Sequence, residues 1–191
     1  MQVTHELMNE HQLILKYLDL MERYVEFSQT SDNKDLFLEK AQDFISFMQI
    51  FTDTYHHAKE EDVLFKYLQA PDVLSHCNPL PVMLSDHEQG RMYTRNMKDA
   101  LANNDLKILC DNACAYSQTL KQHIFKEDNI LYPMAENGLS DDDKIALGNE
   151  YKQIEEKLDK QAIWNEYEEN YSELESCLNN QVTTTESQHP A

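Results

Sequence analysis

Three glycines in 191 residues leave this chain few places at which to turn. Of its five prolines, Pro71, Pro79 and Pro81 crowd into one short stretch, so long runs between breaks contain neither residue. Leu, Met, Glu, Lys and Gln are abundant; these residues lose little freedom in a helix, and the punctuation that strands need is almost absent. The expected class is all-α, and the length suits one domain with a real core.

The breaks divide the chain into a small number of long helices. Thr4 is placed to cap a first helix reaching about Phe27. "SQTSDNKD" makes a polar turn, and a second helix runs from about Lys34 to Gln69. The proline-bracketed loop precedes a third helix from about Val82 to Ala102. "NND" connects to a fourth, expected to end at Tyr132 because Pro133 follows it. Four long helices with short connections predict an antiparallel up-down-up-down four-helix bundle with additional C-terminal helices. The bundle is expected to occupy residues 1–138, with Gly138 as terminator and Ser140 as the next N-cap. Residues 139–179 form an acidic helical extension whose stripe of Leu147, Ile154, Leu158, Trp164, Tyr167, Tyr171 and Leu174 would dock on the bundle, on a partner or on a second copy. Residues 180–191 read as a disordered tail, which sets His189 aside.

Charge removes several function classes. Sixteen basic against 35 acidic residues give a net charge of −19, which argues against nucleic acid and against an anionic membrane surface. No apolar run is long enough to span a membrane, and "MQVTHELMNEH" lacks the features of a secretory signal, so a cytoplasmic protein is expected. The four cysteines, Cys77, Cys110, Cys114 and Cys177, then read as reduced thiols, with Cys110 and Cys114 as small helix residues rather than a metal pair.

"HHAKEEDVLF" at 56–65 and "HIFKEDNILY" at 123–132 are variants of one pattern, a histidine meeting a glutamate four residues later. With α-helical spacing, His57 and Glu61 share the apolar stripe of the second helix, and His123 and Glu127 that of the fourth. His11 lies on the stripe of the first helix and His87 on that of the third. A single buried histidine is commonly a hydrogen-bonded core residue, but six ionisable groups aimed at one centre are not, because buried carboxylates are costly unless paired or metal-bound. Four imidazoles and two carboxylates at the centre of a bundle suit two irons bridged by the carboxylates, with zinc as the alternative metal. His56 is expected about 100° away from His57, facing solvent or touching a ligand from outside. Arg91 and Tyr116 are further residues that could contact the ligands, and His5 reads as a helix-start residue.

The ordered blocks "NEHQLIL", "HHAKEEDVLF", "DHEQGR" and "HIFKEDNILYPMA", across about residues 5–140, resemble the hemerythrin-like (HHE) cation-binding family. The resemblance implies a non-haem di-iron centre, with His11 and His57 on one iron and His87 and His123 on the other. It implies that Glu61 and Glu127 bridge the irons together with an oxo or hydroxo group. Oxygen-carrying members have a second histidine four residues after that of the third helix, where this chain has Arg91. The implied function is binding of, or reaction with, dioxygen, nitric oxide or peroxide by a sensor, scavenger or redox protein. Repair of iron clusters by iron donation is the alternative, as is a metal-dependent interaction module; whether the protein is an enzyme is left open.

Overall fold

A computed structural model describes residues 2–188 apart from 32, 72, 75 and 76, and His189 lies outside the described residues. The described residues form helices and no strand. Helix α1 is His5–Thr30. Helix α2 begins as Leu36–Phe47, passes through π-helical Met48–His57 and Glu60–Leu64, and ends in Phe65–Leu68. Helix α3 is Leu80–Ala102, with Pro81 in its first turn, where the missing N–H would have had no helical acceptor. Helix α4 runs as Leu106–Lys126, a π-helical Glu127–Leu131 and Tyr132–Gly138.

Pro133 therefore does not end the fourth helix, contrary to the expectation from sequence. Proline breaks an α-helix because its ring collides with the carbonyl one turn back. The π-helical turn just before it changes that spacing, and the N–H of Tyr132 reaches the carbonyl of Glu127, five residues back. The real stop is Gly138, where a Cβ would stand 2.6 Å from the Val73 carbonyl oxygen of the α2–α3 loop. Thr4 also acts differently: its N–H and hydroxyl both donate to Glu136 at 3.0 Å, pinning the start of α1 to the end of α4 rather than capping its own helix.

Two apolar clusters occupy the bundle. One contains Tyr17, Tyr24, Phe44, Phe47, Phe51, Met97 and Leu120; the other contains Leu7, Leu64, Phe65, Met83, Leu131 and Tyr132. Along α1 and α3 the chain passes from the second cluster to the first, and along α2 and α4 from the first to the second. That alternation is the antiparallel up-down-up-down bundle. Each helix carries its histidine at the crossing, so the polar residues form one layer between two apolar plugs.

Helix α5, Asp141–Leu158, is capped by Ser140, whose hydroxyl accepts the Asp143 N–H at 3.1 Å; Asp141, Asp142 and Asp143 complement the helix dipole. It adds Leu147 and Tyr151 to the second cluster. Asp159 turns the chain with a positive φ of 54°, and α6, Lys160–Gln188, returns along the bundle. Tyr167, Leu174 and Leu178 of α6 enter the first cluster. Tyr17 and Tyr24 of α1 donate to the Tyr167 and Leu174 carbonyls at 2.7 and 2.8 Å. The C-terminal helices are thus part of the core. Helix α6 continues past residue 179, where a disordered tail was expected to begin.

Candidate metal centre

Seven side chains meet in the polar layer, each no more than 4% exposed. Helix α1 supplies His11; α2 supplies His56, His57 and Glu60; α3 supplies His87; α4 supplies His123 and Glu127. They form two groups, His57–Glu60–His87–His123 and His11–His56–Glu60–Glu127, and in each the potential ligand atoms lie within 4.8 Å of one another. The Nε2 atoms of His87 and His123 stand 2.9 Å apart, and those of His11 and His56 3.1 Å apart.

The two carboxylates span both groups. Glu127 places Oε1 3.0 Å from His123 Nε2 and Oε2 3.3 Å from His11 Nε2. Glu60 places Oε2 3.3 Å from His87 Nε2 and 3.6 Å from His56 Nε2. Its Oε1 accepts a hydrogen bond from the Tyr132 hydroxyl at 2.6 Å.

Each histidine offers its other ring nitrogen to a carboxylate. Nδ1 of His11 lies 2.8 Å from Asp128, that of His56 2.8 Å from Glu10, and that of His87 2.7 Å from Glu61. His57 and His123 make longer contacts, 3.4 Å to Asp53 and 3.3 Å to Asp86. A carboxylate at Nδ1 keeps the proton there and leaves the Nε2 lone pair pointing inward, the arrangement of a metal-ligating imidazole. Cations stand behind four of these five acids. Lys59, fully buried, contacts Glu10; Lys126 contacts Asp86; Arg91 reaches Asp53 at 2.8 Å and Glu61 at 2.5 Å.

The same carboxylates also favour a second proton on two of these rings, one that a bound cation would have to displace. Burial alone would lower His11, but Asp128 and Glu127 push it up to about 9. Burial would likewise lower His123, and Glu127 with Asp86 pushes it up to about 10. His57 lies well below the ordinary range, through burial and the neighbouring charges of His87, His56 and His123. Burial would raise Glu127, yet His123 and His11 hold it well below the usual carboxylate range.

His11, His57, His87, His123 and Glu127 lie where their spacing placed them, inside the layer. Three expectations require correction. Glu61 does not enter the layer; its side chain is 26% exposed and binds His87 Nδ1 and Arg91, while its neighbour Glu60 is fully buried and takes that place. His56 is no outward residue but joins the layer at 1% exposure. It is His56, not His57, that faces His11. The cause is the π-helical stretch, whose wider turn rotates each residue by less than the 100° of an α-helix, so His56 and His57 both face inward. The histidine lacking at Arg91 is thereby made up on α2, and the layer holds five.

Tyr116 is buried but outside both groups, lining a pocket with Gly90 and His57. Arg91 binds the outer carboxylates rather than those inside. Tyr132 and Lys59 were not foreseen. The "LYP" segment flagged Tyr132 only as part of a pattern, and a lysine carries no sequence signal for full burial.

The layer fits a cation. His57 Nε2, Glu60 Oε2 and both oxygens of Glu127 are buried with no hydrogen-bond partner. Leaving such groups unsatisfied costs about 1–3 kcal/mol each, more when charged. Ring nitrogens aimed at each other across about 3 Å need a shared acid or a shared metal. The hemerythrin HHE cation binding domain family matches residues 2–135, the stretch that carries all seven residues. No curated protein matches the chain.

Proposed function

The chain belongs to the hemerythrin HHE cation-binding family, and from that premise and the buried layer we propose that it holds two iron ions. One ion would be held by His57, His87, His123, Glu60 and Glu127, the other by His11, His56, Glu60 and Glu127. The observation that carries this is the sharing: Glu127 gives one oxygen to each group, and Glu60 directs a single oxygen to both. Seven donor side chains in two overlapping groups are more than the four that a single tetrahedral zinc takes, which speaks for two ions over one structural zinc.

Iron in such a place supplies electron exchange and open positions for a small ligand. The chain's own residues do the rest. Five carboxylates orient the imidazoles, Lys59, Lys126 and Arg91 offset their charge, and the two apolar clusters keep bulk water out. We therefore read the protein as a sensor, scavenger or redox protein for dioxygen, nitric oxide or peroxide, working in a reducing compartment such as the cytoplasm, which its four free thiols suit. Five histidines, each with its own carboxylate, speak for retention of the iron rather than its donation.

The test is iron analysis of the purified chain, followed by anaerobic reduction and mixing with oxygen or nitric oxide while the visible spectrum is recorded. Bound iron with a ligand-dependent spectrum supports the reading, and a chain that takes up no iron sinks it.

A further inference from the structure

Arg91 of α3 lays one edge of its guanidinium across two acids of α2. Its Nε donates to Asp53 Oδ1 at 2.8 Å and its Nη2 to Glu61 Oε1 at 2.5 Å, while Nη1 lies 3.8 Å from Glu88. Such an edge commonly takes both oxygens of a single carboxylate; here it takes one oxygen from each of two. Those same two oxygens face imidazoles of the layer. Asp53 Oδ1 stands 3.4 Å from His57 Nδ1, and Glu61 Oε1 stands 2.7 Å from His87 Nδ1. The two rings lie face to face, with centroids 3.8 Å apart and planes 14° from parallel. One cation therefore stands behind two imidazoles of the same group, His57–Glu60–His87–His123.

Burial does not hold these two acids in place. The Asp53 and Glu61 side chains are 35% and 26% exposed, so water competes for both. The Asp53 contact to His57 is longer than an ordinary N–H···O bond, whereas its bond to Arg91 is not, so the arginine rather than the ring holds it. Burial would raise Glu61, but His87 and Arg91 hold it below its ordinary value, and it stays an ionised acceptor.

The other cations behind the layer serve one imidazole each. Lys126 contacts Asp86, which faces His123, and Lys59 contacts Glu10, which faces His56. A lysine supplies a point charge, but the planar fork of an arginine also fixes directions.

Resting on the metal reading above, we propose that Arg91 is a positioning residue that aligns His57 and His87 together, so that the hold on the ion they serve depends on it and the hold on the other ion does not. With both outer acids clamped, both Nδ1 protons stay on the outside and both Nε2 lone pairs face inward.

The test compares wild type with Arg91→Gln and Arg91→Lys, titrating ferrous iron anaerobically into the full chain against a competing chelator. Arg91→Gln should weaken one of the two ions by about tenfold to a hundredfold, the usual effect of losing an outer partner of a metal ligand, and leave the other unchanged. Arg91→Lys, with the charge but not the fork, should recover only part of the loss. Independently of any metal, nitrogen-15 NMR of the iron-free chain at neutral pH should show neutral His57 with its proton on Nδ1 in wild type and shared between both nitrogens in Arg91→Gln. Two wild-type affinities in Arg91→Gln overturn the inference while leaving the metal reading intact. Equal weakening of both ions, or full recovery in Arg91→Lys, also overturns it, because charge alone would then suffice. Absence of iron from wild type overturns the metal reading and the inference with it. Should Arg91→Gln not fold, Arg91→Lys decides: weakening of one ion supports the inference, and two wild-type affinities overturn it.

Discussion

Tyr132 donates its hydroxyl to Oε1 of Glu60 at 2.6 Å, leaving only Oε2 for the histidines. That one bond distinguishes the two inner carboxylates, since Glu127 has both oxygens free to face the layer. Removing the hydroxyl should disturb Glu60 without removing a ligand. For Tyr132→Phe we expect a loss of about 1–3 kcal/mol in stability, the usual consequence of leaving a buried acceptor without its donor. Iron should be retained with an altered visible spectrum. Thermal unfolding and absorption spectra check this, and identity with wild type in both would count against it.

Lys59 is a fully buried cation packed over the Tyr55 ring at 4.0 Å and against Glu10, with Glu155 of α5 at 3.4 Å. Lys59→Met leaves Glu10 charged and buried, which should destabilise the fold by about 3–5 kcal/mol. Burial would raise Glu10, but Lys59 and His56 hold it below its ordinary value. A depressed carboxylate stabilises the fold above its unfolded pKa of about 4.3, and that contribution is lost as pH falls through the lower folded value. Urea titrations across pH 3–7 should show this acid-side loss in wild type.

A chain ending at Gly138 should not fold as a stable bundle, although it contains all seven residues of the layer. It would strip Tyr167, Leu174 and Leu178 from the core. Each such side chain contributes about 1.5–3 kcal/mol, so together they approach the whole stability of a domain. Circular dichroism of the shortened chain checks this; a cooperative melt at the wild-type temperature would show that the extension is only an appendage.

Cys110 should be inert. Burial, with Cys114 and Asp111 nearby, pushes its thiol up to about 11, so at pH 8 only about one molecule in a thousand carries the reactive thiolate. At neutral pH a maleimide probe should label exposed Cys77 quickly and Cys110 only after unfolding. Rapid labelling of Cys110 at neutral pH would contradict the burial described.

The bundle was legible because helix formation and apolar periodicity are local properties, written in the near-absence of glycine and in the stripes of α1 and α3. His11, His87 and His123 lie on regular α-helical turns, where a period of 3.6 is the right ruler. His56 and Glu60 lie on π-helical turns, and no residue in "HHAKEEDVLF" signals a change of pitch. Lys59 escaped for another reason: its burial depends on Glu10 and Glu155, acids distant in sequence that only the folded chain brings together.

The choice between the neighbouring acids Glu60 and Glu61 tests the central claim most directly. Iron per chain should be measured in wild type, Glu60→Gln and Glu61→Gln after identical loading. Wild type should hold two ions, Glu60→Gln should lose at least one because both groups share that carboxylate, and Glu61→Gln should keep both, since Glu61 only orients His87. Full iron in Glu60→Gln together with loss in Glu61→Gln would contradict the centre described.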